Sequence, residues 1–214
     1  LLHFSLFSRM SAEVAGVFFQ ALVFSSALSL VPVAVLWFLD RRERENRWLL
    51  AGAFLWGGCI ATALSLPVNS VFFQVVDRWV ALNPVVTEIL GPDATILIAA
   101  PLSAPIIEEI TKAAGVALIF WLLRDEFDNM RDGFVYGALV GAGFNWFEAP
   151  LHIAQTYAHD GVAPYSLQLG VRFSLFGLGG HAMFTGLFGM FFGLAAQSQS
   201  IWLRLLGPVA GLVL

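Results

Sequence analysis

The feature that most constrains this chain is a series of apolar runs, most of them long enough to cross a lipid bilayer. They lie near residues 14–39, 48–75, 94–123, 132–157, 170–196 and 201–214. A spanning helix needs about 20 apolar residues, so only the last run is short. Because lipid offers the backbone no hydrogen-bond partners, we expect every run to be helical. The predicted fold class is all-α, a polytopic transmembrane helix bundle with about six membrane segments and one integral membrane domain, residues 1–214.

The composition agrees with a membrane protein. Hydrophobic residues make up 58% of the chain and charged residues only 12%, whereas soluble domains carry about 25% charged residues. The net charge of −4 indicates no nucleic-acid partner. A single cysteine, Cys59, excludes an intramolecular disulfide and a cysteine-based metal site.

The distribution of arginine between the loops predicts the orientation in the membrane. Residues 40–47 contain four arginines and residues 124–132 contain two, whereas 76–93 and 158–169 contain only Arg78 between them. Short loops rich in Arg and Lys stay on the cytoplasmic side. We therefore expect the 40–47 and 124–132 loops to be cytoplasmic and the N-terminus to be outside. The 76–93 segment is predicted to be an outer loop with at most a short helix.

Three charged residues interrupt the third apolar run: Glu108, Glu109 and Lys112. Each would cost roughly 2.5–3.5 kcal/mol at the bilayer centre, which indicates a functional role. Glu108 and Lys112 are four residues apart and should pair, while Glu109, rotated by about 100°, should point elsewhere. Pro101 and Pro105 weaken the backbone just upstream and favour a hydrated pocket beside the acids.

The fourth run places a third acid, Glu148, inside the membrane. Asn145 precedes it by one turn and His152 follows it by one turn, so the three can share a stripe. Pro150 is expected to break the helix before His152, which fits an interfacial histidine at least as well as a site residue. A ridge of small residues on the opposite flank should let another helix approach closely, at Gly133, Gly137 and Gly141.

The fifth run contains one strongly polar side chain, His181, among small residues. At helical spacing its face comprises Ser174, Gly177, His181, Thr185, Gly189 and Gly193. Glu108, Glu148 and His181 lie at similar depths in their runs, so three helices should bring acid, acid and imidazole together.

This set of side chains suits hydrolysis by activated water. A carboxylate in apolar surroundings beside an imidazole can take a proton from water, and a second acid or the histidine can stabilise the oxyanion or protonate the leaving amine. The same carboxylates, with His181 and His152, could instead hold a divalent metal such as zinc. No standard zinc-binding spacing is present, so the residues favour catalysis without a cofactor.

Three motifs in this region, taken in order, resemble the PrsW family of intramembrane proteases. The first is EExxK at residues 108–112, the second begins at Asp132-Gly133, continues through Tyr136-Gly137 to Phe144 and ends at Glu148, and the third is His181-Ala182-Met183-Phe184-Thr185-Gly186. The family is related to the CAAX-prenyl-protease and bacteriocin-processing superfamily. One departure is Ala149, where family members often have Asn; Asn145 could supply that amide one turn earlier.

The resemblance implies a catalytic core at roughly 94–197 and cleavage of membrane-embedded or juxtamembrane substrates such as anti-sigma factors. It implies Glu108, Glu109, Glu148 and His181 as catalytic residues. Supporting positions are Lys112, Phe144, Asn145 and Thr185. Members are described as glutamic and as metal-dependent, and a metal would use Glu108, Glu148, His181 and His152.

The leading hypothesis is an intramembrane endopeptidase of glutamic type, embedded in the lipid bilayer, that hydrolyses a membrane-embedded or juxtamembrane segment of a membrane protein substrate. A metal-dependent version of the same protease is one alternative. Another is an ion- or proton-coupled transporter, because intramembrane acids also form relays; the lack of an internal repeat argues against it. A third is a non-catalytic adaptor that keeps the pocket, which only Ala149 supports.

Overall fold

The computed structural model describes residues 11–42, 44–122, 127 and 129–213, and within these ranges it contains no strand. Part of the predicted 124–132 loop, including Arg124, lies outside the described residues. The helices, numbered in chain order, are α1 Ala12–Leu39, α2 Arg47–Leu82, α3 Pro84–Leu90, α4 Ala94–Leu122, α5 Met130–Asp160, α6 Tyr165–Arg172, α7 His181–Gln197 and α8 Ile201–Val213.

The predicted membrane helix bundle is confirmed. Helices α1, α2 and α4 are long and apolar enough to cross a membrane, and α8 contains a shorter apolar stretch at Ile201–Gly211. Side chains cap several helix starts, since Ser11 accepts from the Val14 N–H and Asn129 accepts from the Arg131 and Asp132 N–H groups. These caps satisfy backbone donors that the first turn leaves without partners.

Helix α2 differs from its predicted bounds. It runs to Leu82 and is followed at once by α3, so most of the expected 76–93 loop is helical. Residues Trp56–Ala61 form a π-helical segment, and the Thr62 hydroxyl donates to the Gly57 carbonyl oxygen at 2.9 Å. This wider turn presents Gly57 and Gly58 to α5, where any added side chain would meet α5 backbone atoms.

The prediction that Pro150 breaks the fourth segment was wrong. Helix α5 continues through it to Asp160 and ends at Gly161, which adopts a left-handed conformation at φ 72°. Proline removes the N–H that would bond the carbonyl four residues earlier. Ser25 of α1 takes its place, because its hydroxyl donates to the Trp146 carbonyl oxygen at 2.6 Å. The carbonyl is satisfied and the helix continues without a break.

The predicted single helix over 170–196 was also wrong. After α6 the chain forms a short 3₁₀ turn, Leu175–Gly177, and α7 begins only at His181. Leu175 and Phe176 have φ values of 50° and 60°, and Gly180 has a φ of 56°. A right-handed α-helix requires negative φ, so these residues interrupt the helix here. Ser174 and Gly177 therefore do not share a helix face with His181.

Helix α5 is the centre of the bundle and is buried along most of its length. Its predicted glycine ridge packs as expected: a Cβ on Gly133, Gly137 or Gly141 would collide with the backbone of α7. At one end the Tyr136 hydroxyl donates to Glu45 Oε2 at 2.7 Å. The 40–47 turn therefore lies at the same end as the start of α5, and which side of the membrane this end faces stays a prediction.

Candidate active site

The ionisable residues that interrupt the apolar runs meet at one place between three helices. Glu108 and Glu109 come from the middle of α4, Glu148 from α5, and His181 is the first residue of α7. His181 is placed by the break before α7, because Gly180 adopts a φ/ψ of 56°/−128° that favours glycine. Glu108 and Glu148 are each only 6% exposed.

Both ring nitrogens of His181 face carboxylates. His181 Nε2 lies 3.2 Å from Glu148 Oε2 and 3.6 Å from Glu108 Oε2. His181 Nδ1 lies 3.3 Å from Glu109 Oε1. The predicted convergence of acids and imidazole is therefore present, with the imidazole between the carboxylates of α4 and α5.

Lys112 is fully buried beside this cluster, at 0% exposure. Its Nζ lies 2.6 Å from Glu109 Oε1, 2.5 Å from His181 Nδ1 and 3.9 Å from Glu108 Oε2. The predicted partner was Glu108, four residues away, but the closer partner is Glu109, three residues away. Since both acids reach His181, the prediction that one of them points elsewhere was wrong.

Two further side chains, those of His152 and Arg172, contact Glu148. His152 Nε2 lies 3.2 Å from Glu148 Oε1, and the Arg172 Nε–H donates to Glu148 Oε2 at 2.8 Å. The His152 side chain is 45% exposed, so it lies at the edge of the site. Arg172 was missed by the sequence reasoning, although it is the only Arg or Lys between Arg131 and Arg204.

The supporting residues lie next to the cluster but differ in what they touch. The Phe144 ring packs edge-on against His181, with centroids 4.9 Å apart, and lies 4.2 Å from Lys112 Nζ. The Thr185 hydroxyl donates to Glu109 Oε2 at 3.4 Å.

Asn145 does not bond an acid in the site. Its Nδ2 donates to the carbonyl oxygens of Arg172 and Gly179 at 3.2 Å each. Arg172 ends α6 and Gly179 lies just before α7, so Asn145 holds both ends of the connecting segment against α5. By this means Asn145 fixes the start of α7, where His181 lies.

Two neutral polar residues near Glu108 were also missed. Asn69 of α2 donates from Nδ2 to Glu108 Oε1 at 3.2 Å, and the Ser103 hydroxyl of α4 donates to Asn69 Oδ1 at 2.7 Å. Neither side chain is charged, so neither stands out in its run as a buried acid or lysine does, and only a search for neutral polar residues at the depth of Glu108 would have found them.

Glu108, Glu148 and His181 form a group that could hold a metal ion, since one ligand atom from each lies within 4.8 Å of the others. The predicted fourth ligand, His152, contacts Glu148 through Oε1. His181 Nε2 instead contacts the other oxygen, Glu148 Oε2, and Glu108 Oε2 lies near the same ring nitrogen. The structure thus brings three of the four proposed ligands to one point and places His152 on the other side of Glu148.

Comparison with models of known protein families places most of the chain in a family. The sequence model described as PrsW family intramembrane metalloprotease matches residues 45–214, which include the whole cluster. Neither a curated protein nor a solved structure matches the chain significantly. The match covers well over half of the chain and contains all three motifs that carried the resemblance. The chain therefore belongs to the PrsW family of intramembrane proteases.

Proposed function

We propose that this protein cleaves a peptide bond in a membrane-embedded or juxtamembrane segment of a membrane protein, with Glu108, Glu109, Glu148 and His181 as its catalytic group. The observation that carries the proposal is the convergence of three carboxylates on the two nitrogens of His181. Buried charges in lipid are expensive, so a cluster of this kind is expected where chemistry requires it.

The donor set fits a divalent metal such as zinc, which Glu108, Glu148 and His181 would hold. Carboxylate and imidazole ligands bind zinc at about 2.0–2.2 Å, so neighbouring ligand atoms lie roughly 3–3.6 Å apart. The His181–Glu148 and His181–Glu108 separations of 3.2 and 3.6 Å agree with this. Glu109 faces the other ring nitrogen, as the orienting partner of a metal-ligating histidine does. Such an ion, when bound, would supply Lewis acidity toward water and the scissile carbonyl.

The protein's own groups can perform the proton transfers. Glu109 is the most accessible of the three acids, with a side chain 23% exposed, and Lys112 stabilises its charged form through Oε1. We assign to Glu109 the role of general base, which accepts a proton from the attacking water. Water oxygen bonds to the carbonyl carbon, the C–N bond breaks, and the peptide nitrogen receives the proton from Glu109. The products are a carboxylic acid and an amine.

A metal-free, glutamic mechanism is the second candidate, and one contact favours it. Lys112 Nζ lies 2.5 Å from His181 Nδ1. If the ammonium donates to Nδ1, the imidazole proton resides on Nε2 and is donated to Glu148, which leaves Nε2 with no lone pair for a metal. Metal binding requires the other tautomer, with the Nδ1 proton directed to Glu109. The two mechanisms therefore differ in the position of one proton.

The test uses purified protein in proteoliposomes with a single-pass membrane protein of the anti-sigma-factor type. We expect Glu108→Gln, Glu109→Gln and His181→Ala to lower kcat by about 10²–10⁴-fold. Glu88→Gln changes an exposed acid of α3 and serves as the matched control. Full cleavage by the three site variants would exclude the proposed site. Elemental analysis and chelator treatment decide between the mechanisms, since stoichiometric zinc with chelator-sensitive activity supports the metal form.

A further inference from the structure

A short chain of hydrogen bonds reaches Glu108 from the side away from His181. It begins at the Ser103 hydroxyl, passes through the side-chain amide of Asn69 and ends at Glu108 Oε1. Ser103 is 1% exposed and belongs to α4, whereas Asn69 belongs to α2. The chain therefore joins two membrane-spanning helices through polar groups.

The bond made by Ser103 crosses to another helix, as that of Ser25 does, and differs from those of two other serines in α1 and α2. Ser26 and Ser70 donate to the carbonyl oxygens of Leu22 and Leu66, four residues back in their own helices. That bond satisfies a hydroxyl in lipid without any partner helix. Ser103 instead donates across to Asn69 at 2.7 Å. Its hydroxyl fixes the amide so that Oδ1 faces Ser103 and Nδ2 faces the carboxylate.

The amide also spans one of the two prolines inside α4. Ser103 and Glu108 are five residues apart, about 7.5 Å along the helix axis, and Pro105 lies between them. Proline has no N–H, so the helix has one fewer internal hydrogen bond at this point. The amide of Asn69 connects the turn before Pro105 to the acid after it.

We propose that Asn69 and Ser103 are positioning residues that fix the orientation of the Glu108 carboxylate toward His181. This inference rests on the proposed function of Glu108. With Oε1 engaged by Asn69, Oε2 is the oxygen that faces His181 Nε2 at 3.6 Å and Lys112 Nζ at 3.9 Å. Without the amide, the carboxylate can rotate about its Cγ–Cδ bond to other orientations, in which neither oxygen keeps its distance to His181 Nε2.

The test compares Asn69→Leu, Ser103→Ala and the double variant in the full-length protein. Asn69→Leu keeps the branching at Cγ and the number of side-chain heavy atoms and removes both bonds, and Ser103→Ala removes a single hydroxyl. Ser70→Ala is the matched control, because Ser70 is next to Asn69 but is exposed and bonds only its own helix among the contacts described. Size-exclusion profiles and thermal unfolding in detergent check that each variant is folded.

Two readouts apply: kcat and KM for cleavage in proteoliposomes, and zinc affinity measured by competition with a chelator. We expect Asn69→Leu to lower kcat or zinc affinity by about 10–100-fold, the usual effect of losing a group that orients a ligand, with KM nearly unchanged. Ser103→Ala should cost up to about tenfold, the loss of one hydrogen bond. In the Asn69→Leu background it should cost nothing further, because its partner is gone.

The proposal is overturned if Asn69→Leu matches the control in both readouts, or if Ser103→Ala has the same effect in both backgrounds. The reference variants Glu108→Gln and His181→Ala separate this result from a failure of the proposed function. If they too cleave normally, the active-site assignment fails. If they are inactive while Asn69→Leu is normal, only the positioning role is wrong.

Discussion

Gly141 gives the sharpest test of how the site is assembled. A Cβ placed there would lie 2.5 Å from the carbonyl carbon of His181 and 2.7 Å from the Cα of Ala182, whereas ordinary contacts begin at 3.4 Å. In Gly141→Ala the first turn of α7 must therefore move by roughly 1 Å, because backbone atoms cannot be compressed. The residue that must move is His181 itself.

The magnitude follows from that displacement. Overpacking of a well-packed contact costs about 1–3 kcal/mol, and a shift of about 1 Å in a catalytic group can lower the rate by about 10²-fold. We expect Gly141→Ala to lower the thermal midpoint in detergent and to reduce kcat in proteoliposomes by more than the loss of folded protein explains. Activity is therefore normalised to the folded fraction.

Gly52→Ala is the matched control, because it adds the same methyl group in a helix where a Cβ would meet nothing within 4 Å. Replacing a helical glycine in open space should stabilise by about 0.5–1 kcal/mol and leave kcat unchanged. If Gly141→Ala keeps both the stability and the kcat of the unmodified protein, the close approach of α5 and α7 does not determine the position of His181.

Three further outcomes follow from the cluster. Lys112→Met should destabilise the fold by about 3–5 kcal/mol in thermal unfolding, because it leaves Glu109 with no buried cation at 2.6 Å; Lys112→Met combined with Glu109→Gln should recover part of this loss, and no recovery would contradict the pairing. Arg172→Gln should lower kcat by about 10–100-fold, since Glu148 Oε2 loses its guanidinium partner at 2.8 Å, whereas Arg204→Gln, at an exposed position of α8, should have no effect. His152→Ala should lower kcat by less than about tenfold, because a side chain that is 45% exposed makes one contact with Glu148; a loss equal to that of His181→Ala would make His152 a full member of the site.

The sequence was sufficient to find the ionisable residues that converge around His181, because lipid makes charge conspicuous. Glu108, Lys112 and Glu148 each interrupt an apolar run, and no membrane helix retains such residues without a reason. The glycine ridge was equally readable, since spacing four can serve only a helix contact on one face. The charged residues and the glycine spacing can both be recognised from residue type and position alone, without knowing how the helices are arranged.

The helix break before α7 could not be found by the same means. Hydropathy is insensitive to backbone conformation, and the run 170–196 remains apolar across Leu175 and Phe176, whose left-handed φ values end the helix. The groups that bond the Trp146 carbonyl and Glu108 were hidden for a different reason. Ser25, Asn69 and Ser103 are ordinary polar residues whose importance comes from a carbonyl or carboxylate on another helix, and a single sequence does not reveal which helices are neighbours.

The geometry of the cluster is set by packing first and by charge second. Coulomb energy varies only inversely with distance, so His181 would be attracted to Glu148 over a range of separations. Steric repulsion rises far more steeply as atoms approach. The carbonyl oxygens of α7 contact the backbone of α5 directly where α5 has glycine, at Gly133, Gly137 and Gly141. Helix association in lipid lacks the hydrophobic driving force available in water and depends on such contacts. The ridge therefore fixes the distance between α5 and α7, and the ionisable groups at the end of that contact adopt the spacing that it imposes.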